Sequence, residues 1–302
     1  MKIGAVLVLI LAFLVLGLPS VQGVQLTVRL WPDRGEMGVY RIGELITIYA
    51  KANLEANGKL THFQPSSAKV EQLPPVVLSP GIDQTVWQSP AALPSGRERI
   101  LLESNTGTGT VSAECSYLVA SPDAPADDSF YYPAYIDQLA RGVLSGDDQG
   151  NANPEQAVTR AEFIKMLLLN LGQSSQPQTN TLFPDVPEDF WGSGYIALGH
   201  TLALIEGYPD GTFHPNNPVT KAEAITMIAR ALQWPPTAPS FSTFWDVLPK
   251  HWAYGYIEVA LTRNLIQEGD DVAVLSEDSF SPDLPALREV CWVFLMRTHE
   301  DL

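Results

Sequence analysis

The chain has 302 residues, enough for about two domains, and its 45% hydrophobic and 17% charged residues are an ordinary balance for a globular protein. The net charge of −16 argues against a general nucleic-acid-binding protein, because contacts with phosphates require a basic surface. This acidity by itself indicates no particular ligand.

The first 23 residues, MKIGAVLVLILAFLVLGLPSVQG, combine a positive start at Lys2, an uncharged apolar run and a small-residue end. This pattern predicts a signal peptide that is removed on export. The alternative is an uncleaved anchor, because the apolar run approaches the length that spans a membrane. No later stretch is long and apolar enough to cross one, so we expect no membrane span after cleavage.

Residues 24–120 predict β-structure. Short runs such as VQLTVRL and RERILLES are separated by turn sequences such as ANGK and LPSG. This spacing predicts an all-β, immunoglobulin-like sandwich. Residues 121–129, SPDAPADDS, are small, acidic and proline-containing, and we interpret them as a linker.

The two cysteines are expected to stay unpaired. Cys115 lies on the apolar side of an alternating stretch, and Cys291 lies in an apolar helical run. Both positions are typical of small core residues, and neither suggests an exposed partner.

From residue 130 onward the sequence is helical and repeats itself. VTRAE at 158–162 and VTKAE at 219–223 each precede an apolar run, and LFPDVPEDFWGSGYI matches TFWDVLPKHWAYGYI. The repeats define three units, 130–172, 182–234 and 243–299. One such unit is too small to bury its own apolar face, so we expect the three to share a core.

The repeated phrase predicts how the second helix of a unit begins. Thr159 with Glu162, and Thr220 with Glu223, have the spacing of a capping box, in which each side chain bonds to the other residue's backbone. Such a cap contributes about 1 kcal/mol to helix stability.

The basic residue inside the phrase needs another explanation. Arg160 and Lys221 occupy the first helical position, where a cation opposes the helix dipole. In the third unit Leu287 and Val290 replace the capping pair, yet Arg288 keeps the basic position. We expect these cations and the nearby helix N–H groups to form an anion site. The alternative is a set of local salt bridges.

The phrases F-x-D-V, Y-I, G-Y-x-D-G-T-F-x-P and V-T-K-A-E follow one another in the second unit. In this respect residues 130–299 resemble S-layer homology repeats, which usually occur as three in a row. The resemblance implies a mostly helical, three-repeat pseudo-trimer with grooves between the repeats. It also implies that the grooves bind an acidic, often pyruvylated, cell-wall polysaccharide, with peptidoglycan as the other candidate.

The resemblance also implies which residues meet the glycan. The basic residues would bind its acidic groups, and the aspartates and tryptophans would line the groove walls. The implied residues are Arg160, Lys221, Arg288, Asp185, Trp191, Asp246 and Trp252. Three departures weaken the match: the first unit has no firm F-x-D-V, the third unit lacks the capping pair, and the third unit carries an insertion near 269–278.

The stretch from Tyr40 to Glu44 resembles the start of a strand in a bacterial surface domain of unknown function. No catalytic, metal-ligating or cofactor-binding motif is found. We therefore expect a non-enzymatic, secreted protein of the cell surface or cell wall, without a cofactor. It would be anchored by its repeats and would display the β-domain. An unknown protein is a possible partner of this β-domain. The alternatives are a structural or protein-interaction role with decayed glycan sites, and an enzyme that acts on the wall.

Overall fold

The computed structural model describes residues 27–300 except 42, 65–68, 92–95, 106–108, 145, 148, 175–181 and 268–278. The predicted signal peptide and most of the insertion in the third unit lie outside the described residues. The described chain has a strand-rich N-terminal part and a helical C-terminal part. None of its helices has the length and apolar character needed to cross a membrane.

The strand-rich part contains two sheets. One has three strands in the order β1-β3-β7, and the other has the order β2-β9-β8-β4-β5 with β6 also paired to β4. All pairs are antiparallel except β2 with β9, which is parallel. The strands are β1 Val28–Pro32, β2 Gly38–Tyr40, β3 Leu45–Ala52, β4 Ala56–Gln64, β5 Lys69–Gln72, β6 Val76–Leu78, β7 Gln84–Pro90, β8 Gly96–Asn105 and β9 Thr110–Val119.

The two sheets share one core because their buried residues alternate along the strands. Ile46 and Ile48 of β3 point inward from one sheet, and Ile100, Leu102 and Tyr117 point inward from the other. This period of two is the sequence signature of a strand with one buried face. Two packed sheets agree with the expected β-domain, and its immunoglobulin-like arrangement stays a prediction.

The helical part contributes two helices from each predicted unit. They are α1 Tyr132–Ala140, α2 Arg160–Asn170, α3 Ser193–Thr201, α4 Lys221–Ala231, α5 Tyr254–Thr262 and α6 Arg288–Arg297, followed by a short 3-10 helix, Thr298–Glu300. Leu167, Ile228 and Phe294, one from each unit, lie in the same buried cluster. The units therefore bury their apolar faces against one another.

Both cysteines are free and buried, as expected from the sequence. Cys115 lies in the core of the sheets and Cys291 in the core of the helices. Burial raises the pKa of each thiol, so neither forms a thiolate readily.

The segments before α2, α4 and α6 meet at one centre. The N–H of Val158 donates to the carbonyl of Ala286 at 3.0 Å, the N–H of Ala286 donates to Val219 at 2.9 Å, and the N–H of Val219 donates to Val158 at 2.8 Å. The three bonds form a closed ring in which each unit donates to one neighbour and accepts from the other. Each basic residue of the repeated phrase follows two positions after a member of this ring.

Residues 121–129, which the sequence predicts as a linker, form hydrogen bonds with the helical part. The buried Ser121 donates its N–H to the hydroxyl of Tyr135 at 2.7 Å, and the carboxylate of Asp123 accepts the N–H groups of Ala152 and Asn153 at 2.6 and 2.7 Å. The first unit therefore begins directly after β9. Its front phrase, S-P-D-A, keeps the aspartate of F-x-D-V but not the flanking apolar residues, so its composition resembles a linker.

We expect Asp123→Ala to lower the free energy of unfolding by about 1–3 kcal/mol, because two backbone N–H groups lose their acceptor. Urea unfolding of the full chain, followed by tryptophan fluorescence, measures the change. Asp128→Ala is the matched control, since Asp128 is exposed in the same segment, and it should change stability by less than about 0.5 kcal/mol. Equal effects of the two substitutions would support a true linker.

Candidate functional site

Capping boxes begin α2 and α4. The hydroxyl of Thr159 accepts the N–H of Glu162 at 3.2 Å, and the Glu162 carboxylate accepts the N–H of Thr159 at 2.8 Å. Thr220 and Glu223 form the same pair of bonds, at 3.2 and 2.9 Å. Helix α6 begins after Leu287 without a side-chain cap.

The first two backbone N–H groups of α2, α4 and α6 donate hydrogen bonds to carbonyls of a neighbouring unit. The N–H groups of the three basic residues donate to carbonyls of a neighbouring unit at 2.9–3.0 Å, and so do those of the residues that follow them. The pairs are Arg160 with Asn217, Lys221 with Leu284, Arg288 with Gln156, Ala161 with Pro215, Ala222 with Pro282 and Glu289 with Pro154. These N–H groups therefore already have backbone acceptors, and the anion site expected from the sequence stays a prediction. Their acceptors come from other units, which the pattern of a single unit does not reveal.

Arg160 is enclosed by the second unit and is only 4% exposed. Its guanidinium donates to the carbonyls of Phe213 at 2.9 Å and Glu206 at 3.4 Å, and to the carboxylate of Glu223 at 2.8 Å. The guanidinium carbon also lies 4.6 Å from the ring centroids of Tyr208 and Phe213. Arg160 therefore holds two units together through an ion pair, hydrogen bonds and ring contacts.

Tyr208 supports this ion pair, because its hydroxyl donates a hydrogen bond to the Glu223 carboxylate oxygen that also accepts from Arg160. Burial and this hydrogen bond raise the pKa of Tyr208 to about 12. The phenol consequently remains a hydrogen-bond donor at neutral pH.

The other two basic residues also reach into a neighbouring unit. Arg288 donates to the carboxylate of Glu162 at 3.0 Å, so it meets a capping glutamate as Arg160 does. Lys221 is 6% exposed, and its amine lies 5.2 Å from the ring centroid of Phe280. Burial lowers the pKa of Lys221, and the nearby charge of Asp246 opposes that shift. The alternative interpretation of the basic residues, a set of local salt bridges, thus agrees with the contacts of Arg160 and Arg288.

Asp185 and Asp246 hold loops in place. The Asp185 carboxylate accepts the N–H groups of Phe213 and His214 at 2.9 and 2.6 Å. The Asp246 carboxylate accepts those of Phe280 and Ser281 at 3.0 and 2.7 Å. Burial would raise the pKa of Asp246, but these bonds together lower it. The resemblance places both aspartates on groove walls, whereas the structure gives their oxygens backbone partners.

A groove of about 600 Å³ is lined by residues from all three predicted units. The first unit contributes Arg160, the third contributes Trp252 and Asp283, and the second provides the rest. The second unit's lining residues are Leu204, Ile205, Glu206, Gly207, Tyr208, Pro209, Thr220, Glu223, Thr226, Met227 and Arg230. The indole of Trp252 is 58% exposed at this groove.

The groove brings together only some of the residues predicted from the sequence. Of the seven implied glycan binders it contains Arg160 and Trp252, and not Lys221, Arg288, Asp185, Asp246 or Trp191. Trp191, the counterpart of Trp252 in the second unit, is 53% exposed, and the amine of Lys165 lies 5.6 Å from its ring centroid.

Sequence reasoning missed several groove residues. Tyr208 could have been found, because it belongs to the G-Y-x-D-G turn of the repeat. Arg230, Met227 and Asp283 carry no motif, and only the packing of units shows that they converge.

Known proteins share the repeated part of this chain. The S-layer homology domain family matches residues 122–164 and 182–225. The chain therefore carries S-layer homology domains in these two segments. The first match begins within the segment that was interpreted as a linker, in agreement with the bonds of Asp123.

Several relatives that share these domains are named as surface or anchoring proteins. A "Cell surface glycoprotein 1" of Acetivibrio thermocellus is 32% identical over 163 residues, half of this chain and 7% of the relative. A "Surface layer protein" of Brevibacillus choshinensis is 35% identical over 101 residues, 32% of this chain and 9% of the relative. A "Cellulosome-anchoring protein" of A. thermocellus is 32% identical over 118 residues, 38% of this chain and 26% of the relative.

The chain thus spans about a quarter or less of the length of these three relatives. The family and these relatives assign the S-layer homology protein to the bacterial cell surface as an exported protein.

We expect Glu223→Gln to lower the free energy of unfolding by about 2 kcal/mol, because it removes the charged partner of a buried arginine. Urea unfolding measures the loss. Glu162→Gln is the matched control: glutamine preserves a capping box, and the Glu162 side chain is 32% exposed against 13% for Glu223. The control substitution should lower the free energy of unfolding by less than half of that amount. Equal losses would mean that the ion pair of Arg160 contributes nothing beyond the cap.

Proposed function

We propose that this protein is held non-covalently at the cell surface by wall polysaccharide bound in the groove, and that it displays its β-domain there. The observation that carries this proposal is the exposed Trp252 in the lining of the groove. The sequence resemblance implies two classes of polymer, an acidic and often pyruvylated secondary polysaccharide and peptidoglycan.

The lining of the groove suits a sugar. An exposed indole offers an apolar face to the C–H groups of a sugar ring, and polar side chains around it meet the hydroxyls. Leu204 and Met227 add an apolar surface beside Trp252, and Tyr208 and Arg230 add polar groups. The three-unit arrangement that forms this groove is part of the proposal.

We propose that the groove binds its ligand without transforming it. Its described lining contains no serine, cysteine or histidine that could act as a nucleophile or base. The hydroxyl of Thr226 donates to the carbonyl of Ala222, and Glu223 is paired with Arg160. One relative is named a cell wall amidase, from Bacillus anthracis, but it is 26% identical over 96 residues that form 18% of its length.

A direct junction between the two parts supports the display role. Leu118 and Ala120, at the end of β9, belong to the buried cluster of the helical part. Arg41 of the β-domain forms an ion pair with Asp127 of the first unit. The β-domain is therefore packed against the module that anchors it.

We expect Trp252→Ala to weaken binding to purified bacterial sacculi by about tenfold, because a stacking contact worth about 1–1.5 kcal/mol is lost. A pull-down with a concentration series of sacculi measures the change. Trp245→Ala is the matched control, since Trp245 is 69% exposed in the same unit and lies outside the groove lining. Arg160 and Lys221 are poor targets for this test because both are buried.

Unchanged sacculus binding by the Trp252 variant would show that this groove is not the site. If the intact chain fails to bind sacculi, the structural or protein-interaction role replaces the proposal.

A further inference from the structure

In the second and third units, a phenylalanine of the front phrase packs on a phenylalanine in the loop between the two helices. The ring centroids of Phe183 and Phe213 lie 5.4 Å apart, and those of Phe244 and Phe280 lie 5.5 Å apart. All four rings are buried in the core of the helical part. In each pair, the first phenylalanine lies two residues before the aspartate that accepts the backbone N–H of the second.

The first unit lacks this pair of rings. The carboxylate of Asp123 accepts the N–H groups of Ala152 and Asn153, as the corresponding aspartates do in the other units. Ser121 and Ala152 therefore occupy the two phenylalanine positions, and they are only 4% and 0% exposed. Because protein cores are close-packed, other side chains must fill the volume that two phenyl rings fill elsewhere.

The edge of the β-domain formed by β2 and β9 is buried on both of its faces. Val39 of β2 is the register partner of Leu118 of β9. Leu118 is 1% exposed and belongs to the core of the helical part, and Val39 packs against that core. Their chain neighbours Tyr40, Tyr117 and Val119 belong to the core between the two sheets. Since successive side chains of a strand point to opposite faces, this edge serves both parts of the protein.

Further contacts hold the same junction. Ala120, directly after β9, belongs to the helical core, and Met37 packs against it. Met37 has a φ of 61°, in the left-handed region that residues other than glycine rarely adopt. Its N–H donates to the carbonyl of Ser116 at 2.8 Å, which helps to hold this conformation. The ion pair of Arg41 with Asp127 adds a polar contact between the two parts.

We propose that the β-domain completes the core of the first unit, because its β2–β9 edge supplies the apolar contacts that the phenylalanine pair supplies in the other two units. The first unit is then stable only while the β-domain is folded, and the two parts unfold together. The β-domain is thus a structural part of the anchoring module, held in one orientation, and cannot be removed without weakening that module. This inference does not depend on what the groove binds.

The coupling is tested by amide hydrogen exchange of α1 in the full chain, followed by mass spectrometry under conditions in which exchange reports the opening equilibrium. We expect Leu118→Ala to accelerate exchange of α1 by about tenfold or more, because it leaves a cavity at the junction. Leu102→Ala changes the core between the sheets, and it should also accelerate exchange of α1 by about tenfold or more, since the first unit loses its support when the β-domain opens. Leu45→Ala is the matched control: Leu45 is 54% exposed in the same domain, and exchange of α1 should stay within about twofold of the native rate.

An acceleration of less than tenfold in either core variant would overturn the proposal, because the first unit would then be stable without the β-domain. An equal acceleration by Leu45→Ala would also count against it. If a core variant fails to fold, Val39→Ala replaces Leu118→Ala and Ile100→Val replaces Leu102→Ala. These milder changes lie on the same two faces, and about a threefold acceleration or more is then required of each.

Discussion

The helical part depends on the ring of three backbone hydrogen bonds among Val158, Val219 and Ala286. Because each unit donates to one neighbour and accepts from the other, no unit can complete these bonds alone. The ring places three helix starts around one centre, and the basic residue of each repeat then reaches into an adjacent unit. The groove is a consequence of this arrangement, since its lining combines residues of all three units.

The basic residues of the repeat serve cohesion between units. A cation at the first helical position opposes the helix dipole, which costs a few tenths of a kcal/mol or more. For Arg160 and Arg288, the capping glutamate of a neighbouring unit compensates for that cost at 2.8 and 3.0 Å. One glutamate thus begins its own helix and holds another unit's arginine, which explains why both residues recur in one short phrase.

The sequence predicted most of the architecture, because hydrophobic period and turn chemistry are local. The strands of the β-domain, the two capping boxes and the free buried cysteines all follow from patterns of a few residues. The contacts of residues 121–129 were harder to predict, because S-P-D-A preserves only the aspartate of the repeat's front phrase, whose carboxylate accepts the N–H groups of Ala152 and Asn153. The partners of the N–H groups at the helix starts could not be predicted from one unit, since the carbonyls that accept them come from distant parts of the chain. The meeting of Tyr208, Arg230 and Asp283 in one groove likewise could not be predicted, because it depends on how the units pack together.

The proposed function requires that a saccharide lie against Trp252 in this groove. The most direct measurement is an NMR titration of the full chain, with labelled tryptophan indoles, against soluble fragments of the bacterial wall glycan. If the saccharide binds in this groove, the Nε1–H signal of Trp252 shifts in a saturable manner, while the signals of Trp191 and Trp245 stay in place. A saturable shift at Trp191 or Trp245 with an unmoved Trp252 signal would contradict it.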